Sequence, residues 1–319
     1  MASIPTATPL TPHQPGGVRR GQPSQVAVYA RALRRDLPAL VSVVVIVVIV
    51  AASVFADFLP IADPDDQELL LRNKPPMTAP LEEGQPPHLL GTDQLGRDVL
   101  SRLIYGSRIS LAVGISGVLV SGTIGIVLGL LAGHYRGKVD DLVMRLVDLQ
   151  MGFPSLLLAL FILYVAGPGV GKVLLVLAIT RWMIYTRLTR SLMLSLREED
   201  FVQAARVIGC GDARIIVRHM LPNLLSPVLV LATLEVATMI LVEAGLDFLG
   251  LGIQPPQTSW GLMLSQGRAY MTSAWWLVVF PGLAILVITL SFNLLAGWVR
   301  AVTDPVQRWR WLGQQPGAQ

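Results

Sequence analysis

Long runs of apolar residues alternate with polar stretches along this chain, and they predict helices that cross a membrane. Four of the runs carry no charged residue, and two carry a few. Each has roughly the 20 residues that a helix needs to span the hydrocarbon core of a bilayer. The pattern predicts an all-α, polytopic membrane protein with six transmembrane helices. In chain order the runs are 37–56, 109–133, 149–171, 173–193, 224–249 and 269–299.

Composition indicates that lipid, rather than a single compact core, covers these runs. The chain has 319 residues, of which 53% are hydrophobic and only 14% are charged, whereas about 25% are charged in ordinary soluble domains. This balance excludes a disordered chain and argues against a soluble enzyme. The one cysteine, Cys210, rules out an intrachain disulfide, and the four scattered histidines give no reason to expect a metal site.

The positions of the basic residues predict the orientation of the helices. With the N-terminus inside, most of the 25 Lys and Arg residues fall in cytoplasmic tails and loops, as the positive-inside rule requires. This bias explains the net charge of +4 without a nucleic-acid partner, and it places both termini in the cytoplasm. The predicted parts are a cytoplasmic tail at 1–36, a first transmembrane helix at 37–59, an extracytoplasmic loop with an interfacial helix at 60–106, a core at 107–300 that includes a cytoplasmic loop at 195–222, and a cytoplasmic tail at 301–319.

The second apolar run contains a glycine repeat, and the segment before it has an amphipathic pattern. Gly125, Gly129 and Gly133 recur every four residues, which forms a smooth strip where another helix can approach closely. The alternative is a strip along which two helices slide. The preceding segment, 93–108, has helical spacing with apolar residues on one face, which predicts an amphipathic helix lying on the outer interface.

Three acidic residues lie in the fifth apolar run, where an ionised group needs a partner or water. Glu235, Glu243 and Asp247 are spaced so that all three can share one broad face of a helix. One interpretation is a face toward an aqueous pathway. The other is an ion pair with Arg181 in the fourth run, or a position at the membrane interface for Asp247. The sequence leaves both interpretations open.

The cytoplasmic loop at 195–222 has the features of a docking element. Its residues predict two short helical pieces around a Gly-Cys-Gly break, with Asp212 capping the second piece. Pro222 is expected to end that second piece before the next span. An apolar stripe covers one face of the first piece, which favours contact with another surface. The stripe consists of Phe201, Val202, Ala205 and Ile208.

The spacing of small residues in this loop resembles the coupling-loop motif of ATP-binding-cassette importer permeases. That motif reads Glu-Ala-Ala, three residues, Gly, nine residues, and then Ile-x-Leu-Pro. Gln203 replaces the Glu of the motif, and His219 replaces the Ile. The matching positions are Ala204, Ala205, Gly209, Leu221 and Pro222.

Two further blocks are similar to the second permease subunit of the dipeptide, oligopeptide and nickel branch of that family. The first, at 91–111, begins Gly-Thr-Asp-Gln-Leu-Gly-Arg-Asp. The second, at 243–261, contains Gly-Leu-Asp-Phe-Leu-Gly-Leu-Gly, in which Asp247 stands where the pattern has Ser. The resemblance covers about residues 35–306 and implies the type I importer permease architecture, with 107–300 as the permease core.

The resemblance implies an ATP-driven peptide importer in the cytoplasmic membrane of a prokaryote. Its other parts would be a second, homologous permease subunit, two ATP-binding-cassette ATPase subunits and an extracytoplasmic substrate-binding protein. ATP and Mg would bind to the ATPases, while this chain would bind no cofactor and catalyse no reaction. It would move di- or oligopeptides by alternating access. The residues implied to couple to an ATPase are Gln203, Ala204, Ala205, Arg206, Gly209, Asp212, His219, Leu221 and Pro222.

Other classes of function stand beside this one. A self-sufficient secondary transporter would use the intramembrane carboxylates but would not need a coupling loop, and a structural membrane protein would need neither. An intramembrane enzyme has the least support, because the sequence offers no paired nucleophile and base. The segment 167–172 resembles a phosphate-binding loop but lacks its first Gly and its Ser or Thr, so it predicts a tight turn between the third and fourth runs.

Overall fold

The computed structural model describes residues 25–81 and 86–303. In this part of the chain the regular structure is helical apart from two isolated β-bridges, as the sequence predicts. Most of both predicted tails, 1–24 and 304–319, lies outside the described residues. The helices are α1 (Gln25–Arg35), α2 (Leu37–Val54), α3 (Val99–Tyr135), α4 (Gly137–Met151), α5 (Ser155–Ala166), α6 (Val170–Leu196), α7 (Asp200–Val207), α8 (Asp212–Arg214), α9 (Leu221–Phe248), α10 (Trp260–Gly267) and α11 (Trp276–Thr303).

Four helical stretches among the described residues are long and apolar enough to cross a membrane. They contain α2, α3, α9 and α11, and they correspond to the first, second, fifth and sixth predicted spans. The fourth predicted span is the 27-residue helix α6, whose four basic residues make it less apolar than the others. It packs against α3 in the middle of the bundle, so protein rather than lipid surrounds much of it.

The third apolar run does not form the single helix that its length predicts. The chain breaks after Met151, and α4 and α5 meet at an angle of 86°. Pro154 accounts for the break, because its ring leaves no N–H to continue the hydrogen bonds of α4. The 12-residue helix α5 is about 18 Å long at 1.5 Å per residue, too short to span a bilayer alone.

The helix predicted at 93–108 does not form as a separate element. Residues 93–98 form a turn, and the helix that follows runs without interruption from Val99 to Tyr135. Asp98 sets this start, because its side chain accepts a hydrogen bond from the backbone N–H of Ser101 at 2.7 Å. With 37 residues, α3 is about 55 Å long and extends beyond the hydrocarbon core.

A polar contact fixes the outer ends of α2 and α3. Arg108 donates to the backbone oxygen of Ser53 at 2.6 Å and to Asp57 at 2.9 Å, and Tyr105 donates to the same carboxylate at 2.8 Å. The hydrogen bond from Arg108, and next that from Tyr105, holds the pKa of Asp57 below its usual range. These hydrogen bonds link the end of α2 to α3.

The glycine strip of α3 packs directly against α6, as predicted. A Cβ atom added to Gly125 would lie 2.3 Å from the backbone oxygen of Trp182. One added to Gly129 would lie 2.6 Å from Cβ of Thr189, and one on Gly133 2.5 Å from Cβ of Met193. The helix axes can approach this closely only because the three positions have no side chain. Such tight contact favours fixed packing over a sliding surface.

Replacing Gly125 by alanine is expected to destabilise the chain by about 1–3 kcal/mol, because α3 and α6 must separate to admit the new methyl group. Gly297→Ala is the matched control: it lies in α11, and an added Cβ there meets nothing within 4 Å. The measurement is the unfolding midpoint of both purified variants in detergent. Equal midpoints would contradict the close packing of the strip.

Candidate functional site

The segment between α6 and α9 consists of the helix α7, a break, and a helical stretch that continues without interruption into α9. The helix α7 ends in a Gly-Cys-Gly break, as predicted, with Gly209 at a φ of +82°. Cys210 then donates its backbone N–H to the oxygen of Ala205 at 3.0 Å, which is the usual closure for a helix that ends in a left-handed glycine.

The second predicted piece is not a separate helix. From Asp212 the chain continues through a π-helical turn, Ile215–Met220, directly into α9. Pro222 therefore does not end a helix, as the sequence analysis expects, but occupies the first turn of α9. The helical stretch is not broken by this proline, which has no N–H to donate, and the π-helical turn lies directly before it. Asp212 also fails to cap, since Gly211 holds the cap position without a side-chain hydrogen bond.

A small apolar core holds α7 in place, and we call it the coupling-loop core. Val202 and Ala205 point inward from α7 and are almost completely buried. They meet residues of α6, of the π-helical turn and of α9, so three elements are joined at one point. The buried members are Met193, Val202, Ala205, Ile215, Met220 and Leu224.

The opposite face of α7 is exposed and apolar. Val207 and Ile208 are 88% and 78% exposed, and Ala204 lies open between them and the start of the helix. Ala204 and Ala205 thus have different surroundings, although the motif treats them as a pair. The predicted stripe divides in the same way, with Val202 and Ala205 inside and Phe201 and Ile208 outside.

The other residues implied to couple to a partner differ in how exposed they are. Gln203 is exposed and donates to the backbone oxygen of Arg197 at 3.2 Å, whereas Arg206 is half-buried. His219 is half-buried in the π-helical turn, where its backbone oxygen accepts from Asn223. The exposed members are Gln203, Ala204, Gly209, Asp212 and Pro222, and the partly buried ones are Arg206, His219 and Leu221.

Glu235 forms the ion pair that the second interpretation of the acidic residues expects. Arg181 donates through Nε and Nη2 to the two carboxylate oxygens, each at 2.9 Å. The side chains are 15% and 8% exposed. This bidentate pair joins α6 to α9 and leaves Glu235 without a free oxygen for a solute.

Glu243 and Asp247 are buried inside the chain, so their contacts do not support the pathway-facing interpretation. Both have no exposed surface. The position of Asp247 relative to a membrane interface stays a prediction. Asp247 accepts from the backbone N–H of Ile253 at 2.6 Å and from the hydroxyl of Ser259. Glu243 accepts from the hydroxyl of Ser110 at 3.3 Å.

A buried polar cluster at the outer side of the bundle was missed by the sequence analysis, and we call it the outer cluster. Asp93 accepts from Arg97 at 2.8 Å and from Arg102 at 2.5 Å. Arg102 also donates to Gln266 of α10 at 3.1 Å, and Trp276 of α11 donates to the backbone oxygen of Thr92. The outer cluster joins the segment before α3 to α3, α10 and α11. The sequence signal for it is Asp-Gln-Leu-Gly-Arg-Asp at 93–98, although the predicted amphipathic helix turns Arg97, Asp98 and Arg102 away from its apolar face.

Two further expectations concern small-molecule sites. The segment 167–172 forms the predicted tight turn between α5 and α6, with Gly167 at a φ of +81° and Gly169 at +137°. Across the described residues, no group of three or more His, Cys, Asp or Glu side chains is arranged to hold a metal ion.

Comparison with known proteins identifies the family. Residues 125–306 match the family described as binding-protein-dependent transport system inner membrane component. Residues 24–76 match the N-terminal TM domain of oligopeptide transport permease C. The chain is 41% identical over 283 residues to the di/tripeptide transport system permease protein DppC of Pseudomonas aeruginosa, covering 89% of this chain and 93% of that protein. It is 43% identical over 272 residues to the dipeptide transport system permease protein DppC of Escherichia coli, covering 85% and 90%.

Solved structures support the same fold. A chain of the MetNI methionine ABC transporter in inward facing conformations aligns with a TM-score of 0.52 and 17% identity, covering 64% of this chain and 97% of that chain. A chain of an amino acid ABC transporter crystallised with histidines aligns with a TM-score of 0.50 and 16% identity, covering 63% and 94%. The chain therefore belongs to the family of binding-protein-dependent transport system inner membrane components, as a multi-pass ABC importer permease subunit and not an enzyme.

Proposed function

We propose that this chain carries di- or oligopeptides across the inner membrane as one of two permease subunits, and that the exposed face of α7 docks an ATPase. The peptide cargo is supported by the names of the relatives, which are di/tripeptide and dipeptide permeases. The remaining parts would be a homologous permease, two ATPase subunits that bind ATP and Mg, and an extracytoplasmic binding protein. Both termini would lie in the cytoplasm, on the ATPase side.

One observation carries the docking proposal: a rigid helix presents exposed apolar residues at its tip. Val207 and Ile208 are largely exposed, which is unfavourable in water unless a partner covers them. The coupling-loop core fixes α7 from behind, so the exposed face is held at a constant position. A force applied to α7 would pass through this core into α6 and α9. ATP-driven closure of the ATPases could then shift the permease between inward- and outward-facing states.

Docking of an ATPase on the exposed face of α7 can be tested by a substitution at Ala204. Ala204→Asp is expected to reduce co-purification of the ATPases and ATP-dependent peptide uptake by about tenfold or more, because a charge is placed in the centre of the docking face. The fold should be unaffected, since Ala204 is exposed. The matched control is Ala79→Asp, an exposed alanine in the segment between α2 and α3, outside the apolar runs. Normal co-purification with Ala204→Asp would contradict docking at α7.

Ala205 separates docking from folding in the same experiment. Ala205 is 4% exposed and lies in the coupling-loop core, so Ala205→Asp would bury a carboxylate without a partner. We expect this variant to lower the yield of folded chain, whereas Ala204→Asp should lower only ATPase binding. Identical effects of the two variants on yield would contradict the division between the inner and outer faces of α7.

A further inference from the structure

The cytoplasmic end of α3 contacts both flanks of the coupling segment. On the side before α7, Arg136 donates to Glu198 at 2.8 Å, and Arg197 donates to the backbone oxygen of His134 at 2.8 Å. On the side after α7, the Nε2 atom of His134 lies 3.4 Å from Asp212. We call these five residues the α3 clamp. The docking helix is thus held at its two ends by one and the same helix terminus.

The α3 clamp continues into rigid packing. Gly133, next to His134, lies so close to α6 that a Cβ atom there would be 2.5 Å from Cβ of Met193. Met193 is itself a member of the coupling-loop core. A displacement of α7 therefore meets two connections to α3, one through the polar contacts of the α3 clamp and one through close packing, and the packed connection has no free space in which to absorb it.

The other end of α3 is attached to the outer side of the permease. Arg102, in the first turn of α3, contacts Asp93 and Gln266 in the outer cluster. Asp98, which caps α3, also contacts His88 of the extracytoplasmic segment at 2.9 Å. One unbroken helix of 37 residues thus connects the coupling segment with the segment that faces the extracytoplasmic side.

We propose that His134 and Arg136 are positioning residues for transport, which make α3 and the docking helix move as one unit. Through them, motion of the ATPases reaches the outer end of α3 without passing through the Gly-Cys-Gly break. The inference rests on the proposed function of the chain. It assigns a task to His134 and Arg136, two residues of α3 and its C-terminal end that lie outside the coupling motif.

The test is the number of peptides transported per ATP hydrolysed, measured with the complete importer in liposomes and with a labelled dipeptide. Arg136→Gln is expected to leave ATPase co-purification and basal hydrolysis unchanged, and to lower this ratio by at least about threefold, within the usual range of coupling between sites. A role in stability alone would not change the ratio. The charge exchange Arg136→Glu with Glu198→Arg should restore it.

Arg187→Gln supplies the matched control. Arg187 forms an exposed pair of the same kind with Asp148, at 3.2 Å, but it joins α6 to α4 and does not contact the coupling segment. We expect this variant to keep the ratio of the unmodified importer. If Arg136→Gln assembles poorly, Glu198→Gln removes the same ion pair from the other side and is measured in its place.

The possible outcomes separate the two proposals. If the unmodified complex fails to assemble or to take up the dipeptide, the proposed function is contradicted. If it transports, and Arg136→Gln or Glu198→Gln keeps the unmodified ratio, only the role of the α3 clamp is overturned. An equal loss in Arg187→Gln, or no recovery in the charge exchange, would overturn it as well.

Discussion

Replacing Arg181 by alanine is expected to lower the free energy of unfolding by about 3–5 kcal/mol, because it leaves the buried carboxylate of Glu235 without its partner. Both oxygens of Glu235 bind the guanidinium, each at 2.9 Å. Glu235 is only 6% exposed and lies between α6 and α9, so water can replace little of the lost interaction. The measurement is denaturant unfolding of the purified variant in detergent, compared with the unmodified chain, in which the contact between α6 and α9 is intact.

Two further variants separate the effect of losing the ion pair from the effect of removing an arginine side chain. Arg187→Ala removes an arginine of the same helix whose ion pair is exposed, and we expect a change below about 1 kcal/mol. Arg181→Leu with Glu235→Leu replaces both partners by apolar groups and is expected to recover most of the stability. If Arg181→Ala were no more destabilising than Arg187→Ala, the buried ion pair would not stabilise the contact between α6 and α9.

The double replacement also separates the function classes that the sequence left open. A secondary transporter would need an intramembrane carboxylate to carry a proton or another cation, so Arg181→Leu with Glu235→Leu would abolish uptake. A permease driven by ATPases needs this pair only for packing. We therefore expect the folded double variant to take up peptide at a rate close to that of the unmodified importer.

The sequence predicts the helices well where one element spans the membrane by itself. The runs that became α2 and α9 are helical over almost their whole length, and α11 covers the sixth run from Trp276 onward, although Pro227 lies inside α9 and Pro281 inside α11. The third run failed because Pro154 divides it, and hydropathy alone gives a proline little weight. The prediction for the start of α3 failed because burial by distant residues, rather than a local break, decides its structure. Polar residues before 109 suggested a separate interfacial helix, although they are buried by the outer cluster.

The sequence predicts where the candidate site lies in the chain, but it does not predict which residues of the site face outward. The spacing of Ala204, Ala205 and Gly209 locates α7 and its break correctly. Which alanine points inward depends on Ile215 and Met220, residues that reach α7 only after the chain has turned back through the π-helical turn. The α3 clamp could not be predicted either, because His134 and Asp212 are far apart in the sequence and are joined only by the packing of α3 on α6.

Asp247 shows how one acidic residue in a span can organise a loop outside it. Its Oδ1 atom accepts the backbone N–H of Ile253 at 2.6 Å, and its Oδ2 atom accepts the hydroxyl of Ser259. Ser259 in turn caps α10 by accepting from the N–H of Leu262 at 3.1 Å. The loop approaches so closely that a Cβ atom on Gly252 would lie 1.8 Å from Oδ1. Asp247 therefore fixes the connection from α9 to α10.

Replacing Asp247 by alanine is consequently expected to destabilise the chain by about 2–5 kcal/mol, because the buried N–H of Ile253 and the hydroxyl of Ser259 both lose their acceptor. Asp247→Asn keeps the Oδ1 acceptor for Ile253, and its amide can donate to the hydroxyl of Ser259, so we expect a loss below about 1.5 kcal/mol. Denaturant unfolding compares the two variants, and hydrogen exchange at the N–H of Ile253 reports the loop directly. Equal destabilisation by Asn and Ala would contradict this account, since it would make the negative charge of Asp247 matter rather than its hydrogen bonds.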